Sequence, residues 1–317
     1  MERIGRSVSG SVAWPHCLAI LTSGSTIVLI MAGGLVTSLG AGLAVPDWPT
    51  TFGYNMFLYP WAKMVGGIFY EHSHRLLGSL VGFLTILTAG TMWWKESRKW
   101  VSFLAAGAVG LVIVQGILGG LRVVWLKLIL AIIHACVAQL FLGLMIALAV
   151  FTSQSWIEAP PPADWEGSRR LQRLSLIALG LIYIQTIFGA ILRHTGNRLD
   201  AHLLFAALVA VFVFLLATKI FQDRDRTKEI QKPAQAIGIL LIMQIFLGAG
   251  SYLTKYTVLG DAVTPWTIAL LTSAHVVTGA LLFAASIVIA LRLHWSLFVQ
   301  RTPSPRGEMF TEQAPAS

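Results

Sequence analysis

Eight apolar runs, at about 19–40, 72–94, 101–121, 128–151, 174–192, 200–220, 234–254 and 266–291, leave this chain little choice of fold. Each is close to the roughly 20 residues that a helix needs to cross a bilayer core. Hydrophobic residues form 56% of the 317 and charged residues 12%, and the charges gather between the runs, which excludes a soluble globular core. The expected fold is an all-α integral membrane protein with eight transmembrane helices. The first run starts after Arg3 and Arg6 but is too long for a signal h-region and lacks a small-residue cleavage site, so it reads as an uncleaved span.

Basic residues set the expected orientation. With the N-terminus inside, Arg3, Arg6, Lys95, Arg98, Lys99, Arg169, Arg170, Arg173, Lys219, Arg224, Arg226, Lys228, Lys232, Arg292, Arg301 and Arg306 are all internal, against Lys63, Arg75, Arg122, Lys127, Arg193, Arg198 and Lys255 outside. That asymmetry favours a multi-pass protein with both termini cytoplasmic. The net charge of +9 is thereby explained as a topology signal, with no basic soluble domain to serve a nucleic acid.

Four histidines stand at matched places in this frame. His74, His134, His202 and His275 fall one apiece in the first part of runs two, four, six and eight, all of which begin outside. An ionisable side chain at hydrocarbon depth is costly, so four at one depth call for a shared reason. Iron held by neutral imidazole, as in haem, is the economical one. The other histidines lack this pattern: His16 and His294 lie near inner interfaces, His72 is on another helical face than His74, and His194 falls in an expected loop.

The odd-numbered runs carry a second repeat. Gln115-Gly-Ile-Leu-Gly-Gly120, Gln185-Thr-Ile-Phe-Gly-Ala190 and Gln244-Ile-Phe-Leu-Gly-Ala249 share one pattern, and Leu29-Ile-Met-Ala-Gly-Gly34 has Leu in the Gln place. Small residues at such spacing read first as close-packing surfaces, and the same closeness can seat a flat porphyrin. The repeated unit is a helical hairpin closed outside and followed by a histidine helix, which groups into two pseudo-repeated four-helix bundles. The expected layout is a cytoplasmic N-terminus 1–18, a first half 19–152, a cytoplasmic linker 153–173, a second half 174–292 and a cytoplasmic tail 293–317. Pairing by halves joins His74 to His134 and His202 to His275.

Only the first histidine has a carboxylate three residues before it. Glu71-His-Ser-His74-Arg75 places Glu71 on the same helical face, one turn nearer the outside. As a first-turn residue it would complement the helix dipole, and as a functional one it would move protons or stabilise a cation at a haem edge. The corresponding positions in the other histidine helices are Ala131, Leu199 and Thr272, so any chemistry belongs to the first half. Arg75, Arg122, Arg193 and Arg198 are candidates for haem propionates, with interfacial anchoring as the plainer role.

The eight spans, the Glu-x-x-His-Arg start of the second helix, the single histidines of helices four, six and eight, and the loop Gly40-Ala-Gly-Leu-Ala-Val-Pro-Asp-Trp-Pro49 together resemble the haem A synthase family over roughly residues 15–295. The resemblance implies a bacterial plasma-membrane oxidoreductase that converts the C8 methyl of haem O to the formyl of haem A for terminal oxidases. It implies that His74 and His134 flank the substrate haem O, that His202 and His275 ligate a resident haem b, and that Glu71 takes part in catalysis. Partners follow in the same way: haem O, an unidentified electron donor, haem O synthase and the terminal oxidase, surrounding lipid, and room for a homo-oligomer. Many bacterial members carry two cysteines flanking the first outer loop, where this chain has Val45 and Thr51. Its cysteines, Cys17 and Cys136, lie in helices one and four, so no loop disulfide is expected. Two other classes fit less of the pattern: a non-enzymatic di-haem b electron carrier leaves the Glu71 asymmetry unexplained, and a haem-free transporter leaves the matched histidine depth unexplained.

Overall fold

The computed structural model describes residues 14–158 and 167–295. Residues 1–13 of the expected N-terminus, 159–166 of the linker and 296–317 of the tail lie outside the described residues, with Arg3, Arg6, Arg301 and Arg306 among them. Eight long helices make up the fold: α1 (Trp14–Ser38), α2 (Gly67–Lys95), α3 (Lys99–Trp125), α4 (Leu128–Phe151), α5 (Ser168–Thr195), α6 (Leu199–Gln222), α7 (Gln231–Tyr256) and α8 (Pro265–Leu293). All eight are long and apolar enough to cross a membrane, and there is no strand among the described residues. The protein is therefore an all-α multi-pass membrane protein.

The helices run beyond the apolar runs that announced them. Hydropathy marks only the part of a helix that must sit in hydrocarbon, while its polar ends continue until a cap stops them. At α5 the stop is Gly196 in the left-handed region, with φ 74° and its N–H bonded to Leu192 O. At the start of α8 the Thr264 side chain accepts from Thr267 N, and Pro265 opens the first turn. Two expectations change as a result. α2 begins at Gly67, which puts Glu71 past the first turn, and α5 runs to Thr195, which puts His194 in a helix and not in a loop.

Consecutive helices α1 to α4 pack side by side, with α1 closing against α4, and α5 to α8 do the same, with α5 closing against α8. The two groups meet through α1, α4, α5 and α8. Their apolar cores are not centred. In the first group the buried cluster includes Ala19, Met92, Val101, Ala105, Phe141, Met145 and Leu148, and in the second Leu171, Ala178, Leu216, Ile220, Ala234, Ile237 and Ile289. These come from the starts of odd helices and the ends of even ones, so both cores fill the end away from the histidines. That far end is also tied across the groups: Trp295 Nε1 donates to Trp156 O at 3.1 Å and Arg292 to Ser155 O at 2.7 Å. At the histidine end several buried helical residues are small, among them Ala131, Ala190, Ala201, Ala269 and Ser273.

Candidate functional site

Each histidine ring lies against a glycine of the preceding helix. A Cβ added at Gly33 would stand 2.9 Å from His74 Cε1, at Gly119 3.4 Å from His134 Cε1, at Gly189 3.3 Å from His202 Cε1, and at Gly248 3.0 Å from His275 Cε1. All four are the fifth residue of the repeated pattern, so the glycines read as helix-packing surfaces are the seats of the imidazoles. No larger residue leaves this room, because the ring would meet the new methyl. Each seat lies roughly one and a half to two turns before the C-terminal end of its helix, which sets the four rings at a similar level. Gly33→Ala and Gly248→Ala are expected to lower stability by about 1–3 kcal/mol through overpacking. Gly107→Ala, with nothing within 4 Å of the new Cβ, should be tolerated; unfolding midpoints compare them.

The rings come together in the expected pairs. His202 and His275 have centroids 6.3 Å apart with planes at 74°. Two metal–imidazole bonds take up about 4 Å, and the distances from ring nitrogen to centroid supply the rest, so this spacing fits one iron between the rings. His74 and His134 are near enough to act on one another electrostatically. In all four rings Nδ1 is buried without a hydrogen-bond partner. Unsatisfied buried polar atoms are uncommon, and four on equivalent residues suit a bound group. All four rings bond the backbone of the first residue of the pattern, Leu29, Gln115, Gln185 or Gln244, and the second pair adds a side chain: the Gln185 and Gln244 amides reach His202 and His275 Nε2 at 3.4 and 3.3 Å, whereas the Gln115 amide donates to the backbone O of His134.

Beside the first pair the loop between α1 and α2 folds over the helix ends. Glu71 is 4% exposed, and its Oε2 accepts from Val45 N at 3.0 Å while Oε1 takes Arg75 at 2.9 Å. Arg75 also donates to Asp47 O, Thr50 O and Val45 O at 2.7, 3.1 and 3.0 Å. Thr51 Oγ1 meets His72 Nδ1 at 3.1 Å, and the Trp48 ring packs onto the Gly120 backbone. Asp47 turns the loop: burial would raise its carboxyl pKa, but the Gly53 and Phe52 N–H groups and the Thr50 hydroxyl hold it below the ordinary value. The helix-dipole reading of Glu71 is thus replaced by another structural role, bracing the loop. His72, set aside in the sequence, also holds this loop. The two-residue spacing that placed it on another face from His74 is what turns it towards Thr51.

The four arginines part company. Arg75 is engaged by the loop and Glu71. Arg122 packs its guanidinium against Gly42, has no carboxylate partner among the described residues, and lies within electrostatic range of Glu71, His74 and His134. Arg193 donates to Gly34 O, Ser38 Oγ and Thr272 O, and Arg198 is 57% exposed beside Asp200 at 3.7 Å. His194 and Lys255, not singled out from the sequence, share the electrostatic surroundings of Arg193. Only their meeting across helices brings these basic side chains together. Val45 and Thr51 are fully buried under the loop, and Cys17 and Cys136 are free. Replacing both cysteines with Ala is expected to leave turnover and its indifference to thiol reductants unchanged, with a stability loss of about 1–2 kcal/mol at most, read from activity assays and unfolding midpoints.

Residues 16–201 match the family model described as cytochrome oxidase assembly protein. Similar proteins include three named Heme A synthase. That of Shouchella clausii (strain KSM-K16) is 36% identical over 110 residues, 34% of this chain and 35% of the relative. That of Alkalihalophilus pseudofirmus is 28% identical over 190 residues, 57% and 60%. That of Bacillus pumilus (strain SAFR-032) is 23% identical over 290 residues, 89% of each. The chain thus spans about a third to three fifths of the length of the first two relatives in its matched stretch. The family match takes in Glu71, His74 and His134 and stops just before His202.

Proposed function

Because the chain belongs to the cytochrome oxidase assembly protein family, we propose that it is a haem A synthase, oxidising the C8 methyl of haem O to the formyl of haem A. The observation that carries this reading is the set of four glycine-seated imidazoles in two pairs, at the bundle ends away from the apolar cores. In this reading His74 and His134 hold haem O between α2 and α4, in the first half, 19–152. His202 and His275 hold a haem b in the second half, 174–292. Haem b, when bound there, supplies a one-electron redox centre within the protein. Both sites then lie in the outer half of the membrane, with the termini cytoplasmic.

The overall chemistry is two oxidations of one carbon. The methyl gains the oxygen of one water equivalent and gives up four protons and four electrons, passing through the alcohol and the hydrated aldehyde, which loses water to leave the formyl group. The protein's part is to orient, exclude water and handle protons. His74 and His134 would hold the macrocycle between α2 and α4, beside the loop that carries Trp48. Trp48 and the loop it belongs to cover that side. Glu71, the carboxylate one helical turn from His74, accepts a proton or stabilises positive charge at the reacting carbon. Arg122, left without a carboxylate partner, matches a propionate. Electrons leave to a donor–acceptor chain outside this protein, and haem A passes to a terminal oxidase.

The test is extraction and chromatography of haems from cells making haem O, with and without this chain. Haem A is expected only with the chain. A pigmented protein that yields no haem A would refute the enzyme reading, and a purified protein without a Soret band would refute the haem reading altogether.

A further inference from the structure

Arg193 is engaged in a way that neither a propionate ligand nor an interfacial anchor requires. Its guanidinium leaves α5 and crosses to both groups of helices, donating to Gly34 O at 2.5 Å, to Ser38 Oγ at 2.6 Å and to Thr272 O at 3.4 Å. Ser38 and Thr272 close the arrangement with a 2.8 Å hydroxyl–hydroxyl bond, and a Cβ on Gly34 would meet Ser273 at 3.1 Å. Three helices are therefore tied at one point: the end of α1, the end of α5 and the outer part of α8.

That point is adjacent to three of the four histidine positions. Gly34 follows Gly33, the seat of His74. Arg193 itself lies one helical turn beyond Gly189, the seat of His202. Thr272 stands one turn before His275 on α8. Among the described residues no carboxylate pairs with Arg193, so its charge is met by carbonyl and hydroxyl dipoles alone. A cation held that way in a low-dielectric region is costly unless its hydrogen bonds are well aimed, which gives the arrangement one favoured geometry.

We propose that Arg193 is a positioning residue that fixes the two histidine pairs relative to each other, through its bonds to Gly34, Ser38 and Thr272. This rests on the haem A synthase reading and deepens it: the resident pair and the substrate pair are held in one register by a side chain that touches neither haem. Misplacing reacting groups by a fraction of an ångström to one ångström is enough to slow a reaction strongly, so loosening the brace should act on the rate more than on substrate affinity.

The experiment compares Arg193→Gln, Arg193→Lys and Ser38→Ala with the parent as detergent-purified pigment, reading the low-field electron paramagnetic resonance signal and the midpoint potential of the resident haem, haem content, kcat and KM. Arg193→Gln should keep its resident haem, shift both signals, and lower kcat roughly 10- to 100-fold with KM within about threefold. Arg193→Lys should recover part of the loss, and Ser38→Ala should move the same signals in the same direction by less. Parental signals in Arg193→Gln would overturn the proposal. So would parental signals in Ser38→Ala beside an altered Arg193→Gln, the pattern of an arginine that meets a propionate directly. If Arg193→Gln does not accumulate, Ser38→Ala and Ser38→Val carry the comparison. A parent without pigment would refute the haem reading and not the brace. A double-mutant cycle of Arg193→Lys with Ser38→Ala on unfolding midpoints then decides: non-additive effects support the brace, and additive ones overturn it.

Discussion

Replacing His202 or His275 with Ala is expected to remove the stable b-type absorbance of the purified protein, while replacing His74 or His134 spares that absorbance and abolishes haem A formation. The pairs differ in how the rings are held. Both second-pair imidazoles meet a glutamine amide at Nε2, whereas neither first-pair imidazole does. The amide is an added contact beside the backbone bond and glycine seat that all four rings share, and a ring oriented further loses less rotamer freedom when it takes a ligand, which suits a resident group. Loss of one axial bond to a buried haem should empty the second site in extracted pigment. Pyridine haemochrome spectra and product chromatography on the four variants read the two effects separately. Equal loss of resident haem from both pairs would end the division of roles.

The second large effect is expected at Glu71. If its carboxylate handles a proton or stabilises charge at the reacting carbon, Glu71→Gln should cut turnover by roughly 100-fold or more with both haems still bound. The structure sharpens the comparison, because Glu71 also braces the outer loop through Val45 N and Arg75. A bracing role alone would make Arg75→Gln at least as damaging, since that change removes the bonds to Asp47 O, Thr50 O and Val45 O together with the ion pair. Turnover assays with haem content measured on the same samples distinguish the two. Glu71→Asp should fall between parent and Gln, its charge kept and withdrawn by one methylene. A Gln variant that makes haem A at the parental rate would remove Glu71 from the chemistry.

The sequence by itself determined the eight spans, the all-α class, the four histidine positions and the recurring Gln-x-x-x-Gly pattern. These are properties of single helices, where hydropathy and spacing are enough. It left the glycines ambiguous between helix packing and a seat for a ring, because Gly33 and His74, or Gly248 and His275, lie on different helices and meet only when hairpins close. It placed Glu71 in a first turn, since the run was taken to begin at His72 and the turn Gly67–Tyr70 that opens α2 was left outside it. It grouped Arg75, Arg122, Arg193 and Arg198 as equivalents. Tertiary structure separated them by what each guanidinium reaches: loop carbonyls, the Gly42 backbone, the α1–α8 junction, and an exposed aspartate. Local pattern fixes which residues a helix offers to its neighbours, but a long side chain finds its partner across helices, and that choice depends on packing that no single segment contains.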